Sequence, residues 1–270
     1  MKLSIAIPDS SLSDESTKLD KSRKISEFAR ACAIFKINTI YIYQDGNNKE
    51  DRNLMITIFK YLETPQFLRK RLFPKMNDLK FAGVLHPLKI PSHITPADAK
   101  KIKKGDVREG ITVSFKGRKF VDVGINQLVP YFGHEKLGKR ATIQFKSGFP
   151  HFEIKPITKD EVPEYWGYSI KERSNLFSLV KEWEGLTIIT SRKGKTATKE
   201  QISKYANSNK PILVVFGSPA KGVHQILGGK MSSLQNSKTL NFFPNQATET
   251  VRLEEALLGT LSIINAYTAG

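Results

Sequence analysis

The sequence predicts an α/β fold that is interrupted by a small β-rich insertion. Helical and strand patterns alternate in the N-terminal and C-terminal parts, where some strands are unbroken apolar runs of the kind buried in parallel sheets. Between these parts lie several short alternating strands, which are typical of an OB-like β-barrel. We therefore expect an α/β domain over 1–77 and 162–270 and an inserted barrel over 78–161.

The N-terminal part begins with a strand, Leu3 to Ile7, and a loop without glycine, which argues against a dinucleotide-binding fold. Lys21 to Phe35 then has the apolar spacing of an amphipathic helix. Arg23 and Arg30 share the face away from its apolar stripe, where they are either solvated or able to reach phosphate. Cys32, the single cysteine, falls on the apolar stripe, so we expect a buried thiol and no disulfide framework.

A second strand and two further helices follow. Thr39 to Tyr43 is rich in β-branched and aromatic residues, and apolar spacing predicts a helix from about Asp51 to Leu62. Thr64 and Pro65 have the residue types of a cap and a first helical position. The helix they begin carries three basic residues, which form either an exposed face or an RNA contact: Arg69, Lys70 and Arg71.

The insertion has frequent glycines and short apolar runs. Ile111 to Phe115 and Arg118 to Val123 flank Lys116-Gly117 in a hairpin pattern, and further strands are expected at 141–145 and 151–154. Three basic residues of the hairpin are expected to contact RNA: Lys116, Arg118 and Lys119. Of five phenylalanines that lie among basic residues, we expect most in the core and one or two stacked on bases: Phe115, Phe120, Phe132, Phe145 and Phe149.

The composition points to a polyanionic partner. Lysine and arginine total 43 against 26 acidic residues, which gives a formal charge of +17 and favours RNA or DNA, although such a charge also serves solubility. The five histidines are scattered without paired spacing, so we expect no metal. No apolar run approaches a membrane-spanning length, and we expect a cytoplasmic protein without membrane association.

Three C-terminal strands end in small or polar residues. Leu186 to Thr190 runs into Ser191 to Gly194, and Ile212 to Phe216 runs into Gly217 and Ser218. Ligands of open α/β sheets bind outside the carboxyl ends of the strands, so these loops are candidates for a ligand site. An ordinary strand-to-helix connection is the alternative.

The third loop follows a strand that Pro244 stops, because proline lacks an amide donor. Asn245 and Gln246 supply side-chain amides to a turn, and a helix is expected to begin near Thr248, which can cap it. The apolar face of that helix runs from Leu253 to Ile264.

These loops resemble the three cofactor loops of the SPOUT methyltransferases, the trefoil-knotted class that methylates RNA. The matching segments read Thr-Ser-Arg-Lys-Gly at 190–194, Phe-Gly-Ser-Pro at 216–219 and Asn-Phe-Phe-Pro-Asn-Gln-Ala-Thr-Glu-Thr-Val-Arg-Leu-Glu-Glu-Ala at 241–256. Residues 21–35 and Tyr-Trp-Gly-Tyr at 165–168 resemble an archaeal and eukaryotic subfamily whose SPOUT domain carries an inserted barrel. Ala247 departs from the pattern, where glycine is expected.

The resemblance implies a knotted, mostly parallel sheet flanked by helices, S-adenosylmethionine as the cofactor, and a homodimer in which the last helix packs. It also implies methylation of a uridine base in ribosomal RNA, with Arg30, and less directly Arg23, as the catalytic cations. The expected cofactor contacts are Thr190, Ser191, Gly217, Ser218, Asn241, Phe242, Pro244, Asn245, Gln246, Ala247 and Thr248.

Methylation of a uridine ring nitrogen needs a base or a cation, because that nitrogen carries a proton near neutral pH. The residues do not identify a general base, and ribose methylation stays open. Two other classes remain. A catalytically inert RNA-binding or assembly factor would need only the basic charge and the barrel, whereas a nucleotide-dependent α/β enzyme would need glycine motifs that are missing.

Overall fold

The structure, a computed structural model, describes residues 2–46, 48–93 and 97–268. The chain forms two compact units. The first comprises Met1–Leu62, Asp78–Leu88 and Tyr168–Gly270, and the second comprises Glu63–Asn77 and Lys89–Gly167. Contacts thus group 63–77 with the β-rich unit and 78–88 with the α/β unit. The domain boundaries expected from the sequence remain a prediction.

The elements are numbered along the chain. The strands are β1 (Leu3–Pro8), β2 (Thr39–Tyr43), β3 (Val107–Phe115), β4 (Arg118–Asp122), β5 (Val129–Pro130), β6 (Arg140–Phe145), β7 (Ile154–Ile157), β8 (Ser169–Arg173), β9 (Leu186–Thr196), β10 (Ile212–Val215) and β11 (Ser237–Asn241). The α-helices are α1 (Lys18–Ile34), α2 (Lys49–Glu63), α3 (Gln66–Leu72), α4 (Leu176–Lys181), α5 (Lys199–Ala206), α6 (Val223–Leu227) and α7 (Leu253–Thr268). Short 3-10 helices occupy Asn77–Leu79, Ala82–Val84, Pro91–His93, Ala99–Lys101, Lys159–Glu161 and Gly228–Ser233.

The first unit contains a parallel sheet of six strands in the order β11-β9-β10-β1-β2-β8. Its inner strands are apolar runs, and β1 and β10 are buried along their whole length. Helices flank the sheet, and α1 packs against α7. The prediction of an α/β fold with a parallel sheet is therefore confirmed.

Helix α1 begins three residues earlier than expected because Thr17 caps it. The Thr17 hydroxyl accepts the backbone N–H of Asp20 at 3.1 Å. Ile25, Phe28 and Cys32 are buried on the inner face. Burial raises the pKa of the Cys32 thiol, which stays protonated as expected of a core residue.

The second unit contains a curled antiparallel sheet of five strands in the order β5-β4-β3-β6-β7. The hairpin prediction is confirmed, since Phe115 pairs with Arg118 across Lys116 and Gly117, whose φ angles are +48° and +73°. The strand expected at 151–154 is wrong in position.

Strand β7 begins only at Ile154 because the preceding residues form a turn. The Ser147 hydroxyl donates to the carbonyl of His151 at 2.5 Å and accepts the N–H of Glu153 at 2.9 Å. These bonds hold the backbone of the turn away from the ladder.

The expectation that most of the five phenylalanines lie in the core was wrong. Phe145 is buried on the inner face of β6, whereas Phe120 is half-buried and Phe115, Phe132 and Phe149 are exposed by 50%, 94% and 48%. Phe115 lies at the end of β3 beside the hairpin turn, and Phe132 follows β5, so both stand outside the packed part of the sheet.

The second unit also contains a charged network that sequence reasoning missed. The Arg140 guanidinium contacts Glu63 at 2.6 Å and Glu109 at 2.8 Å, and both carboxylates are buried. Thr142 and Trp166 also donate to Glu109, at 2.6 and 2.7 Å. The two carboxylates hold the pKa of Arg140 above its ordinary value, although burial alone would lower it.

Candidate active site

Three loops meet at the carboxyl edge of the parallel sheet. Strand β9 lies between β10 and β11, so the segments that follow these strands are neighbours. We call them the first edge loop (190–194), the second edge loop (216–222) and the third edge loop (242–252). A chain that passes from β9 to β10 and then to the far side of β9 brings all three together.

The first edge loop is a bulge within a strand. Strand β9 was expected to end at Thr190, but it continues to Thr196. Its pairing with β11 nevertheless skips 190–194, since the register shifts between the adjacent residues Thr239 and Leu240. The expected strand end was therefore wrong, while the expected irregular segment is present as a bulge.

Local contacts shape the first edge loop. The Thr190 hydroxyl donates to the carbonyl of Val215 at 2.9 Å, and the Ser191 hydroxyl accepts a backbone N–H two residues further on at 3.2 Å. A Cβ on Gly194 would lie 2.7 Å from the carbonyl carbon of Leu240. Glycine is therefore needed where the bulge returns to β11.

The second edge loop is a closed turn. The Ser218 N–H donates to the Lys221 carbonyl at 2.9 Å, and the Lys221 N–H donates to the Ser218 hydroxyl at 2.9 Å. A Cβ on Gly217 would lie 2.7 Å from the same Lys221 carbonyl oxygen. This close approach explains a glycine at the end of a buried strand.

The third edge loop is bonded to the first. The Asn241 side chain donates to the carbonyl of Arg192 at 3.1 Å and accepts the N–H of Phe243 at 2.9 Å. The Arg192 guanidinium in turn donates to the carbonyl of Glu249. Phe242, which follows Asn241, is buried. The two loops thus form one hydrogen-bonded structure.

The helix after the third edge loop begins at Leu253, so the expected start near Thr248 was wrong. The Gln246 amide donates to the carbonyl of Thr248 at 2.9 Å, so this carbonyl takes part in a hydrogen bond within the loop. The N-terminus of α7 is capped further along the chain, where the Glu255 side chain accepts the backbone N–H of Arg252 at 2.9 Å.

All the predicted cofactor residues lie in or beside the edge loops. Asn245 has a φ of +63°, a left-handed conformation that asparagine tolerates better than most residues. The residues are Thr190 and Ser191 in the first loop, Gly217 and Ser218 in the second, and Asn241, Phe242, Pro244, Asn245, Gln246, Ala247 and Thr248 at the third. What these loops bind remains a prediction.

A cavity of about 740 Å³ opens beside the first edge loop. We call it the basic cavity, and its lining contains none of the predicted cofactor residues. Sequence reasoning missed its lysines, although Lys193-Gly194-Lys195 places two lysines on one face of an extended segment. The lining residues are Lys193, Gly194, Lys195, Gln201, Tyr205, His224, Ser237, Lys238, Thr239 and Leu240.

The two predicted catalytic arginines lie on α1. Arg30 donates through one guanidinium nitrogen to the carbonyls of Pro87 and Leu88, at 3.1 and 3.2 Å. Arg23 lies 3.5 Å from Asp20 and is mostly exposed. The backbone carbonyls therefore orient Arg30 more firmly than the surface ion pair orients Arg23.

Three of the six predicted RNA-binding residues have structural partners within the second unit. Arg69 donates to the Thr64 carbonyl at 2.9 Å, and Arg71 lies 2.9 Å from Asp122. Lys119 donates to the Gly133 carbonyl at 2.8 Å.

The other three predicted RNA-binding residues, Lys70, Lys116 and Arg118, are exposed. The Lys116 ammonium lies 5.5 Å from the centre of the Phe115 ring. RNA contact remains a prediction for all six.

Two further features of the described residues concern metal ions and membranes. Within the described ranges, no cluster of three or more histidine, cysteine, aspartate or glutamate side chains is arranged to hold a metal ion. None of the helices in that part of the chain combines the length and apolar character needed to cross a bilayer.

Comparisons with known proteins identify the family. A family profile described as "Putative RNA methyltransferase" matches residues 2–264. An uncharacterized protein of Halobacterium salinarum is 30% identical over 286 residues, which cover 97% of this chain and 98% of that protein. The Homo sapiens protein named 28S rRNA (uridine-N(3))-methyltransferase is 29% identical over 304 residues, which cover 97% of this chain and 77% of the human protein. The resemblance found in the loop motifs is thereby confirmed, and the chain belongs to this family of RNA methyltransferases.

Proposed function

We propose that the protein transfers a methyl group from S-adenosylmethionine to a ring nitrogen of a uridine in ribosomal RNA. The observation that carries the proposal is the meeting of the three edge loops, with the first and third bonded through Asn241 and Arg192. The human and Drosophila melanogaster relatives named 28S rRNA (uridine-N(3))-methyltransferase support uridine as the target.

The predicted contact residues of the edge loops suit S-adenosylmethionine. Its sulfonium and ammonium groups outweigh its carboxylate, so it carries a net positive charge, and the predicted contacts are neutral polar or apolar side chains and backbone groups. The cofactor supplies a methyl group on a sulfonium. The chain supplies neutral hydrogen-bonding groups through Thr190, Ser218 and Asn241. We include in the proposal a trefoil knot through these loops and a homodimer packed on α7.

Arg30 is the proposed cation at the reacting base. Deprotonation of a uridine ring nitrogen spreads negative charge onto the adjacent carbonyl oxygens, which a fixed guanidinium stabilises. The carbonyls of Pro87 and Leu88 orient one nitrogen of Arg30. A guanidinium has five N–H donors in all, so two such bonds leave donors for a ligand. Arg23 has the secondary role in this proposal.

The second unit is proposed to hold RNA as an OB-like module. Its exposed rings, Phe115 and Phe132, offer faces on which unpaired bases stack, and Lys116 and Arg118 add positive charge beside the hairpin turn. An inert RNA-binding or assembly factor would need these features alone. Cofactor binding therefore separates the two functions.

The test is calorimetric titration of S-adenosylmethionine into the wild type, Gly194→Ala and Gly229→Ala. The added methyl at Gly194 would meet the Leu240 backbone at 2.7 Å, whereas Gly229 has open space around its Cβ position. We expect binding by the wild type and the control, and a loss of roughly tenfold or more in Gly194→Ala, because a close backbone approach is blocked. A folded wild type that binds no cofactor, with or without RNA, would favour the inert factor.

A second arm tests Arg30. Arg30→Met should keep cofactor affinity and lower kcat roughly 100-fold or more on uridine-containing RNA, as loss of a transition-state donor does. Arg23→Met should have a smaller effect. Equal activity of Arg30→Met and the wild type would remove Arg30 from the mechanism.

A further inference from the structure

The basic cavity has a lining that predicts the chemistry of its ligand. Its charged side chains are the lysines Lys193, Lys195 and Lys238, accompanied by the imidazole of His224. The three lysine side chains are exposed to solvent rather than packed in the core. Positive groups gathered in a concave surface raise the local concentration of anions.

One lining residue, Gln201, has an acceptor atom without a hydrogen-bond donor in the described part of the chain. The Oε1 atom of Gln201 is buried and has no hydrogen-bond partner among the described residues. Tyr205, Ser237 and Thr239 add hydroxyl groups to the same lining. A buried acceptor without a partner destabilises the protein, so a ligand that donates a hydrogen bond to it gains affinity.

These groups exclude the methyl donor as the best ligand of the cavity. S-adenosylmethionine has a net positive charge at neutral pH. The described lining residues include three lysines and no carboxylate, and such a lining repels this molecule. A phosphodiester satisfies the lysines, but it carries no proton at neutral pH that it could donate to Gln201. A ribonucleotide has both groups, since its phosphate accepts from lysine and its 2′-hydroxyl donates to an amide oxygen.

We propose that the basic cavity binds the RNA strand beside the target uridine, with Lys193, Lys195 and Lys238 on phosphates and Gln201 Oε1 on a ribose 2′-hydroxyl. The inference rests on the proposed RNA methyltransfer and adds to it a binding site in the first unit. Two lining residues connect the cavity to the edge loops: Gly194 is the last residue of the first edge loop, and Leu240 lies two residues before the third. RNA held there lies next to the loops proposed to hold the methyl donor.

The test compares two charge-matched variants. The cavity variant is Lys193→Gln, Lys195→Gln and Lys238→Gln combined, and the control is Lys199→Gln, Lys204→Gln and Lys210→Gln combined. The control lysines are exposed, belong to the same unit and do not line the cavity. Both variants lose three positive charges, so a general charge effect is equal in the two.

Binding of fluorescent oligouridylate is measured by anisotropy over a series of salt concentrations. We expect the cavity variant to bind roughly tenfold or more weakly than the control, and the slope of log affinity against log salt to fall by about 2, as loss of three phosphate contacts to a single strand requires. Equal weakening in both variants would overturn the proposal.

Gln201→Met tests the second contact with a matched pair of ligands, oligouridylate and oligodeoxyuridylate. These differ in the 2′-hydroxyl alone, so the variant should lose several-fold in affinity for the RNA and little for the DNA. An unchanged preference for RNA would contradict the assignment of Gln201. Substitution at this partly exposed side chain also provides a variant that keeps every lysine.

Calorimetry with S-adenosylmethionine separates the outcomes. Unchanged cofactor affinity in the cavity variant, with weaker RNA binding, supports the proposal. Loss of cofactor affinity with unchanged RNA binding would show that the cavity belongs to the methyl donor. A wild type that binds RNA through this cavity but transfers no methyl group would refute the proposed function while the RNA site stands.

Discussion

Basic residues have opposite roles in two regions of this molecule. In the second unit, Arg140 lies between Glu63 and Glu109, whose carboxylates are buried and held at hydrogen-bonding distance. In the basic cavity of the first unit, Lys193, Lys195 and Lys238 are exposed, and the described residues that line the cavity with them include no carboxylate. The difference separates cations that hold the fold from cations that are available to a ligand.

Desolvation explains the difference. A buried carboxylate is tolerated when a cation and further donors satisfy it, and removing the cation leaves its full desolvation cost. An exposed lysine remains hydrated and contributes little to the stability of the fold, but its attraction to a bound phosphate contributes to ligand affinity. Burial and partners, rather than net charge, therefore indicate which basic residues serve binding.

The largest expected change in stability follows from breaking the charged network of the second unit. Arg140→Met leaves Glu63 and Glu109 without their main cation, and we expect a loss of about 3–5 kcal/mol in the free energy of unfolding. Denaturant titration measures it. The control is Arg71→Met, an exposed arginine 2.9 Å from Asp122, for which about 0–1 kcal/mol is expected. Similar losses in the two variants would contradict the comparison.

The next prediction tests whether burial matters more than the unit in which a cation lies. Lys24 on α1 is 3% exposed and contacts Asp14 and, at 3.2 Å, Glu254 on α7. Lys24→Met should lower the free energy of unfolding by about 2–3 kcal/mol, less than Arg140→Met because its carboxylates are partly hydrated.

The control for Lys24 is a second lysine of the same helix. Lys18 lies 2.8 Å from Asp78, and both side chains are partly exposed, so Lys18→Met should cost about 1 kcal/mol or less. If Lys24→Met is as stable as Lys18→Met, burial is not the property that distinguishes these cations.

The smallest expected effect is the pH dependence of the contribution that Glu109 makes to the free energy of unfolding. Burial alone would raise the pKa of Glu109, but Arg140, Lys159 and the hydrogen bond from Thr142 lower it below its ordinary value of 4.5. The Glu109 carboxylate therefore binds a proton more readily in the unfolded chain than in the folded protein. The stabilisation that it provides is complete above pH 4.5 and is lost as the pH falls through its lower pKa in the folded protein. Glu109→Gln should make the acid decline of stability shallower, and parallel pH profiles would contradict this assignment.

Local sequence patterns predicted much of the fold and of the candidate site. The apolar runs of β1 and β10 and the Lys116-Gly117 turn were found because strand burial and positive φ angles depend on neighbouring residues. The edge loops were found for the same reason. The expected end of β9 and the expected start of α7 were wrong. At these places side chains bond to backbone carbonyls that periodicity does not reveal: Arg192 donates to the carbonyl of Glu249, and Gln246 donates to the carbonyl of Thr248.

The sequence by itself determined the parallel and antiparallel parts of the fold, the three edge loops and the basic character of the protein. Only the tertiary structure decided which basic residues are paired. Arg140 meets Glu109 across 31 positions and Glu63 across 77, and Lys238 shares a cavity with Lys193 and Lys195 because β11 pairs with β9. Periodicity reports the face on which a side chain lies, whereas strand order determines what lies opposite it.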